Sequence, residues 1–386
     1  MSTNWSKGDT SRLRVLLFSL PSGGIGHYTY CLADALQRNG ANATVMLQDY
    51  PRYDLEHFPH THKVKTCIRY SRSNLKKLWQ AVPNLSTGLH EASQTDIFHC
   101  QWSDTPKLDR MFWQALKRMG KRIVYTAHNV VPHDRSSDAT KHLIWMQRNA
   151  DAIIVHGHKL KMDLLAQSGI SADKVHVIQH GNSHPIVDQL DTWDRQSARQ
   201  SFSLDDNEPV ILFFGLMRPS KGLDVLIEAC AALLRQDKKF KLMIAGPAMH
   251  GWWEAGEYSK RLRDGNLEDK TITDIDYVPM ADIGRYFHAA DVIAMPYRSG
   301  SQSGILQLAY AYAKPAVVTN VGSICEVVED GKTGVVVPPN DAVTFAEALG
   351  NLIDDPERAK RIGRQGRYFA ETELSWDAIS AKTQEV

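Results

Sequence analysis

Two cations three residues apart are the residues of this sequence best suited to chemistry. Arg218 and Lys221 lie in the segment Gly215–Gly222, between an apolar run that predicts a strand and a pattern that predicts a helix. Arginine offers phosphate oxygens a planar fork of donors, and lysine offers a compact point charge. Such a pair suits a diphosphate, whose negative charge must be stabilised when a bond to it breaks. The alternative is that both are solvated loop charges.

A second loop, Arg298–Gly304, follows the apolar run Val292–Met295 and precedes a helix predicted for Ile305–Ala313. Its small residues and the free N–H groups of a helix start could form a phosphate cradle. The alternative is a plain Gly/Ser loop.

The turn Pro21–His27 also joins a predicted strand to a predicted helix, Tyr28–Asn39. Its glycines would let backbone approach an anionic ligand. A dinucleotide fingerprint is disfavoured, because Thr29 stands at the third glycine position and only Asp49 could serve as the ribose-binding acid. A tight structural turn is the alternative.

His128 follows the predicted strand Arg122–Thr126, where its ring could donate a hydrogen bond to a ligand oxygen. A structural histidine in a loop is the alternative. The spacing of His128, His133 and Asp134 matches no metal pattern, and we expect no metal site. His156 and His158 also follow a strand, and we expect them to be structural.

Short apolar runs alternate with helical patterns along the chain, which predicts parallel sheets built from βαβ units. We predict two Rossmann-like α/β domains that face each other across a cleft, joined by a polar linker with a helix-like middle at Gly181–Asp206. Ligands should bind at the carboxyl ends of the strands. The predicted strands are Arg14–Ser19, Ala43–Leu47, Asp96–His99, Arg122–Thr126, Ala152–Val155, Val175–Ile178, Val210–Phe214, Lys241–Ile244, Ile275–Val278, Val292–Met295, Ala316–Thr319 and Gly334–Val337.

The charge of the 386-residue chain is +1, but its halves differ: Met1–Leu190 carries +8 and Asp191–Val386 carries −7. This excludes a globally basic nucleic-acid binder and indicates different partners for the two halves. Five scattered cysteines without a CxxC pair, and no secretion signal or spanning segment, favour a cytoplasmic protein. Lys63–Lys77 has six Lys/Arg and no acid, so it could contact a membrane surface or be an ordinary solvated segment.

These motifs together resemble the GT-B glycosyltransferases, and glycosyltransferase family 4 in particular, over nearly the whole chain. The anchors include the turn at Gly23–Gly26, the stretches YTAHN, IQHG and FGLMRPSKG, and AKPAVVTNVGSICEVVEDGKTGVVVPP. The resemblance implies an acceptor domain at 1–190, a nucleotide-sugar domain at 191–371, and a helix at 372–386 that returns to the first domain.

The resemblance also implies roles for individual residues. Arg218 and Lys221 match the pair that stabilises the donor diphosphate, although Leu216 replaces an arginine usual directly after the glycine. His128 matches a histidine that contacts the donor sugar or its phosphate, and these three residues are the predicted catalytic set. The resemblance assigns phosphate contacts to Gly24, Ser301, Gln302, Ser303, Gly304, Ile305 and Leu306, base contacts to Tyr277, Val278 and Pro279, and the acceptor side to His27 and Asn129.

The sequence departs from the family at two glutamates, normally eight positions apart, that flank the second loop and start its helix. In the family the first contacts the sugar and the second contacts the ribose. The corresponding stretch, GSQSGILQLA, has no acid. Gln302, Ser301 and backbone N–H groups could replace the first contact, and the ribose contact has no evident substitute near Gln307. Both retention and inversion of the anomeric centre stay open; inversion would need a base such as His27, His128 or Asp134.

We therefore expect a glycosyltransferase of the hexosyltransferase class, EC 2.4. It would move a sugar from a UDP- or GDP-sugar to an acceptor hydroxyl, with no cofactor or metal, in polysaccharide, glycolipid or glycoconjugate synthesis. The acceptor could be a saccharide, a lipid-linked compound or a small molecule. The alternatives are a phosphorylase on the same fold, a non-catalytic nucleotide- or sugar-binding protein, and, least favoured, an NAD-dependent enzyme.

Overall fold

The computed structural model of the protein describes residues 13–19, 24–49, 63–69, 86–103, 105–130, 137–249 and 257–386, with backbone alone at 48–49, 63–69 and 137. The chain forms two compact units. The N-terminal unit comprises Met1–Gly181 and Leu374–Val386, and the C-terminal unit comprises Asn182–Glu373. Each is an α/β unit around a parallel sheet, as the alternating pattern predicts.

Within the described residues, the N-terminal unit has a seven-stranded sheet in the order β3-β2-β1-β4-β5-β6-β7. Its strands are β1 (Arg14–Ser19), β2 (Asn42–Asp49), β3 (Lys63–Arg69), β4 (Ile97–Trp102), β5 (Arg122–Thr126), β6 (Ala152–Val155) and β7 (Val175–Val177). Its helices are α1 (Gly24–Arg38), α2 (described over 86–93), α3 (Pro106–Arg118), α4 (Ser137–Asn149), α5 (His158–Ser168) and, at the end of the chain, α14 (Trp376–Gln384).

The core strands of this sheet are continuous apolar runs because parallel sheets are buried on both faces. Ile123 and Tyr125 of β5 and Ile153 of β6 are fully buried. Phe112 and Trp113 of α3 pack on this core with Phe98 of β4. Strand β3 escaped the sequence analysis because its residues alternate with lysines, which edge strands commonly carry.

The described part of the C-terminal unit has a six-stranded sheet in the order β10-β9-β8-β11-β12-β13. Its strands are β8 (Val210–Phe214), β9 (Lys241–Ala245), β10 (Thr271–Asp274), β11 (Val292–Met295), β12 (Ala316–Thr319) and β13 (Val335–Val337). Its helices are α6 (His184–Leu190), α7 (Arg195–Ser201), α8 (Leu223–Arg235), α9 (Glu257–Asp264), α10 (Ile283–Ala289), α11 (Gly304–Ala311), α12 (Ala342–Asp354) and α13 (Pro356–Thr372).

The segment Gly181–Asp206 is helical in part, as predicted, but its helices α6 and α7 pack inside the C-terminal unit and do not form a linker. The division between units falls after Gly181, nine residues before the predicted 190/191 boundary. Arg199 explains the difference: it is fully buried, and it donates to the carbonyl oxygens of Ala289, Asp205 and Glu208. A charged residue in a polar stretch predicts exposure, whereas this one caps backbone groups that would otherwise be orphaned.

Two further elements differ from the sequence prediction. The strand predicted at Ile275–Val278 lies four residues earlier, at Thr271–Asp274, because the polar residues of this edge strand pair with the backbone of β9. Helix α1 begins at Gly24, inside the segment predicted as a turn.

Helix α14 packs on α1 within the N-terminal unit. Arg38 pairs with Asp377 at 2.9 Å, and Asn39 donates to the Ser380 hydroxyl at 2.5 Å. Trp376 lies 5.1 Å from the Tyr28 ring, and it occupies the space that a side chain at Gly181 would need.

Candidate functional site

The carboxyl ends of the C-terminal unit's strands gather most of the predicted ligand-binding residues. These strands are parallel, so the loops after β8, β10 and β11 leave from one edge of the sheet. The backbone ties the loops together there: Gly215 N–H donates to Ala245 at 2.8 Å, and Gly246 N–H donates to Asp274 at 2.9 Å. The sheet thus places Arg218, Lys221 and Ser301 in loops of the same edge.

Arg298 fixes the loop after β11 against the loop that carries the two cations. Its guanidinium forms a two-pronged pair with Asp224 at 2.6 Å, and its backbone N–H donates to the Ser220 carbonyl at 2.8 Å. Although burial acts against it, the hydrogen bonds and charge of Arg298 hold the pKa of Asp224 below its usual value. The charge of Arg298 is therefore neutralised within the unit, whereas Arg218 and Lys221 have no carboxylate partner among the described residues.

Tyr297 contacts both Lys221, one of the two predicted diphosphate-binding cations, and Ser303, in the loop after β11. The Lys221 Nζ lies 3.6 Å from the centre of the Tyr297 ring, and the Tyr297 hydroxyl lies 3.2 Å from the Ser303 hydroxyl. Ser303 caps helix α11 by accepting the Ile305 N–H at 3.2 Å. Tyr297 could not be predicted as part of the site from the sequence, because no spacing rule signals an aromatic ring beneath a lysine.

Glycines set the close approach of these loops. Gly222 and Gly322 have φ angles of +66° and +55°, in the left-handed region. A Cβ at Gly222 would overlap the carbonyl oxygen of Pro296, and one at Gly322 would overlap that of Gly300. The backbone therefore comes so close to Gly222 and to Gly322 that only glycine fits at these two positions.

Polar atoms with no partner in the described residues remain around this cradle. The Arg218 Nε and the Gln302 Oε1 are both buried and unsatisfied. Burial lowers the pKa of Arg218, yet an arginine stays charged near neutrality. Buried polar atoms normally have partners, and a ligand in the predicted site would supply them for these two.

The other predicted donor residues lie at the same sheet edge. Gly304 is exposed at the first turn of α11, while Leu306, in the same helix, is buried. The segment Tyr277–Pro279 follows β10 directly, with Val278 buried and Pro279 exposed. The structure thus brings together the donor-side residues of the C-terminal unit, and their contacts with a donor stay a prediction.

His128 lies in the N-terminal unit, within a buried cluster of aromatic and histidine rings. It is 2% exposed, and its ring centre is 4.9 Å from those of both Tyr28 and His156. His180 lies 5.3 Å from His156 and 5.0 Å from Tyr28. His156, which the sequence analysis left isolated, therefore converges on His128.

The hydrogen bonds of this cluster fix the proton positions on His128. His156 Nδ1 lies 2.9 Å from the Ile178 carbonyl, which can only accept, so Nδ1 carries the proton. Burial, followed by the neighbouring His180, lowers the pKa of His156 to about 3. The Nε2 of neutral His156 must therefore accept, and its partner at 3.1 Å, His128 Nδ1, must donate.

The remaining nitrogen of His128 is then an acceptor. Burial lowers the pKa of His128 well below its usual value, so the ring is neutral and Nε2 has a lone pair. Its neighbour at 3.1 Å is the Gln101 Oε1, which can only accept, while the Gln101 Nε2 is buried without a partner among the described residues. Exchanging the oxygen and nitrogen of this amide lets its NH2 group donate to the His128 Nε2. Both nitrogens of His128 are thus occupied within its own unit, and a ligand oxygen would compete with Gln101.

The other predicted residues of the N-terminal unit lie near the start of α1 and after β5. Gly24 is exposed, and a side chain there would meet nothing within 4 Å. His27 and Asn129 are half-buried. His133 and Asp134 lie outside the described residues, and the part of the chain that is described has no group of three or more His, Cys, Asp or Glu arranged to hold a metal ion.

Acidification is expected to destabilise the N-terminal unit. Burial lowers the pKa of His99 and His156 to about 3 and that of His27 and His180 to about 4, against an ordinary value of 6.5. Below pH 6.5 the unfolded chain therefore binds protons that the folded unit does not. The stability present above that pH is lost as the pH falls towards 4. Each such histidine lowers the free energy of unfolding by up to about 1.4 kcal/mol for every pH unit.

Hydrogen-exchange mass spectrometry through a urea series, at pH 7.5 and pH 5.0, would follow the two units separately. We expect the unfolding midpoint of β5 and β6 to fall at the lower pH much more than that of β8 and β11. The described part of the C-terminal unit provides the control, because it contains only His184 and His288. Equal shifts in both units would contradict the histidine assignment.

Comparison with known proteins agrees with the observed fold of two α/β units. The family model "Glycosyl transferases group 1" matches residues 194–369, and "Glycosyltransferase Family 4" matches residues 22–182. The structure of Anabaena HepE with UDP and glucose superposes with a TM-score of 0.78 at 20% identity, over 97% of this chain and 98% of that one. Sucrose-phosphate synthase of Thermosynechococcus elongatus gives a TM-score of 0.75 at 18% identity, with the same coverage.

The fold and the two family matches define a glycosyltransferase with the GT-B fold. The chain belongs to the family 4 type of these enzymes. Among curated relatives, it is 25% identical to D-inositol 3-phosphate glycosyltransferase 2 of Catenulispora acidiphila, over 77% of this chain and 71% of that protein. It is 26% identical to an alpha-D-kanosaminyltransferase of Streptomyces kanamyceticus, over 60% of this chain and 58% of that protein. Most of the relatives are matched over 60% of their length or less.

Proposed function

We propose that the protein transfers a sugar from a UDP- or GDP-sugar to an acceptor hydroxyl in saccharide or glycoconjugate synthesis. The observation that carries the proposal is the pair of loops after β8 and β11 in the C-terminal unit, which together form the cradle. Arg218 and Lys221, in the first of these loops, lack carboxylate partners among the described residues. A relative bound to UDP and glucose, of the same fold, supports a nucleotide donor.

The proposed chemistry centres on the leaving diphosphate. As the bond between the anomeric carbon and the β-phosphate oxygen breaks, negative charge develops on that oxygen. Lys221, Arg218 and the free N–H groups at the start of α11 would stabilise it, because fixed donors in a water-poor site need no reorganisation. These groups would take the part that a divalent ion plays elsewhere, so we propose transfer without a metal or other cofactor.

The acid-free cradle also bears on how the donor is recognised. In the place of the first glutamate, which contacts the sugar, Gln302 offers a buried amide oxygen and Ser301 a half-buried hydroxyl. Neutral groups of this kind can accept and donate hydrogen bonds to sugar hydroxyls without repelling the phosphates. We propose that Gln302 takes the sugar contact.

Nucleoside diphosphates are expected to stabilise the protein against heat. A ligand at 100 times its dissociation constant adds about 2.7 kcal/mol, which raises the unfolding midpoint by a few degrees. The measurement is a thermal-shift panel of UDP, GDP, ADP, NAD and inorganic phosphate, each measured with and without EDTA. A shift with one diphosphate alone identifies the base.

The same panel separates the alternatives. Stabilisation by phosphate but by no nucleotide would overturn the proposal in favour of a phosphorylase. Stabilisation by NAD alone would favour a dinucleotide enzyme, and a loss of the UDP or GDP shift in EDTA would contradict metal-free binding.

We further propose that the protein works in the cytoplasm, at the inner face of a membrane. The support is the excess of basic residues in the N-terminal half and in Lys63–Lys77. The first part of this segment is the edge strand β3, and residues 70–77 lie outside the described residues. Within the described residues, no helix combines the length and apolar character needed to cross a bilayer. An anionic surface would then bring a lipid-linked acceptor to the enzyme.

A further inference from the structure

Helix α3 presents an unusual outer face to solvent. Its inner face, with Phe112, Trp113 and Leu116, is buried in the core of the N-terminal unit. On the outer face, Leu108, Met111 and Met119 are 36%, 58% and 41% exposed. Their spacing places them, with Ala115, along one stripe of the helix and its C-cap. Large apolar side chains in a row are costly to expose, so the stripe indicates a contact surface.

Cations surround this stripe. Lys107, Lys117, Arg118 and Arg122 are all exposed, and none has a carboxylate partner among the described residues. Arg110 is exposed as well and lies 5.6 Å from the Trp145 ring.

The one acid of α3 does not offset these charges. Asp109 is buried, where its carboxylate accepts a hydrogen bond from the Ser103 hydroxyl at 2.6 Å and lies 2.9 Å from the His142 Nε2. The outer face of α3 therefore carries net positive charge with no negative group on it.

We propose that the outer face of α3 is a docking surface for an anionic lipid bilayer. The free cations complement acidic headgroups, each worth about a fivefold gain in binding near such a surface. The interleaved Leu108, Met111 and Met119 decide between a bilayer and a soluble polyanion, because only a bilayer offers them an apolar layer beneath the headgroups. This inference deepens the proposed membrane location, and rests on it.

Helices α2 and α3 lie on one face of the N-terminal sheet. Gly88 of α2 lies between Met46 of β2 and Phe112 of α3, so the two helices cover that face together. The outer face of α3 therefore points away from the sheet.

The test is co-sedimentation of the full chain with vesicles of phosphatidylcholine alone or with 30% phosphatidylglycerol, about the anionic content that such assays use. We expect binding to the anionic vesicles only. The variant Lys107→Gln/Arg118→Gln should bind roughly 20-fold more weakly, and Met111→Ser roughly fivefold more weakly. Matched controls on an exposed helix of the other unit, Arg361→Gln/Arg364→Gln and Tyr368→Ser, should bind like the parent.

Three results would overturn the proposal. The first is no preference for anionic vesicles. The second is unchanged binding by the α3 variants, including the case in which Lys76→Gln/Lys77→Gln alone removes it. The third is loss of heparin binding with the charge variant while Met111→Ser has no effect on vesicles, which would make the face a polyanion site. Nucleotide stabilisation, measured on the same preparations, reports on the proposed function separately, since none of these residues lies in the cradle.

Discussion

Replacing Lys221 with alanine is expected to lower kcat by about 10²–10³-fold, the usual cost of losing one donor that stabilises developing charge. The ammonium lies over the Tyr297 ring, which is linked through Ser303 to the cap of α11, so the charge is held in place before the donor binds. Steady-state transfer, with a nucleotide-sugar and an acceptor found by screening, would measure the loss. Arg218→Ala should have an effect of the same order.

The matched control is Lys332→Ala, which removes an exposed lysine of the same unit that pairs with Glu329. We expect its rate to equal the parent's. If Arg218→Ala and Lys221→Ala both keep near-normal transfer rates, the assignment of the diphosphate site is wrong.

The substitution Gly322→Ala is expected to produce the second large effect. Its φ of +55° strains any L-residue, and the added Cβ would overlap the Gly300 carbonyl. Overpacking of this kind costs about 1–3 kcal/mol beyond the strain, and relief would displace Ser301, whose carbonyl accepts the Ser323 N–H at 3.0 Å. We therefore expect both a lower unfolding midpoint and a raised KM for the donor.

Gly331→Ala isolates the steric part of that effect. Gly331 has a similar φ of +71°, but a Cβ there would meet nothing within 4 Å. The Gly331→Ala variant should lose only about 1–2 kcal/mol of stability, which is the cost of backbone strain. Its KM for the donor should equal the parent's. Equal behaviour of the two variants, in thermal unfolding and in donor KM, would show that the Gly300–Gly322 contact does not shape the site.

The buried strands could be predicted from the sequence because each reads as an unbroken apolar run between turn residues. Strands β5, β6, β8, β11 and β12 have the predicted bounds. The edge strands β3 and β10 could not, since their residues are polar and only pairing with β2 and β9 makes them strands. The packing of α7 could not be predicted either, because the burial of Arg199 depends on the carbonyl group of Ala289, which is distant in sequence.

The residues of the candidate site could likewise be predicted in part, and the contacts between them could not. Loops after strands and at helix starts are visible in the sequence, so Arg218, Lys221 and Ser303 could be singled out. The contacts that join them could not, since the ring of Tyr297 beneath Lys221 and the pairing of Arg298 with Asp224 are long-range side-chain geometry. The contact of His156 with His128 is of this kind too, because it spans two neighbouring strands of a folded sheet.

The central claim is that the cradle of the C-terminal unit binds the diphosphate of a nucleotide donor through Arg218 and Lys221. Calorimetric titration of UDP and GDP, each beside its nucleoside, into the parent and into Arg218→Ala/Lys221→Ala tests it most directly. We predict that one diphosphate binds the parent far more tightly than its nucleoside, and that the double variant loses at least about 100-fold in affinity, as expected for two charge-assisted contacts. Equal affinities for diphosphate and nucleoside, or an unchanged diphosphate affinity in the double variant, would contradict the claim.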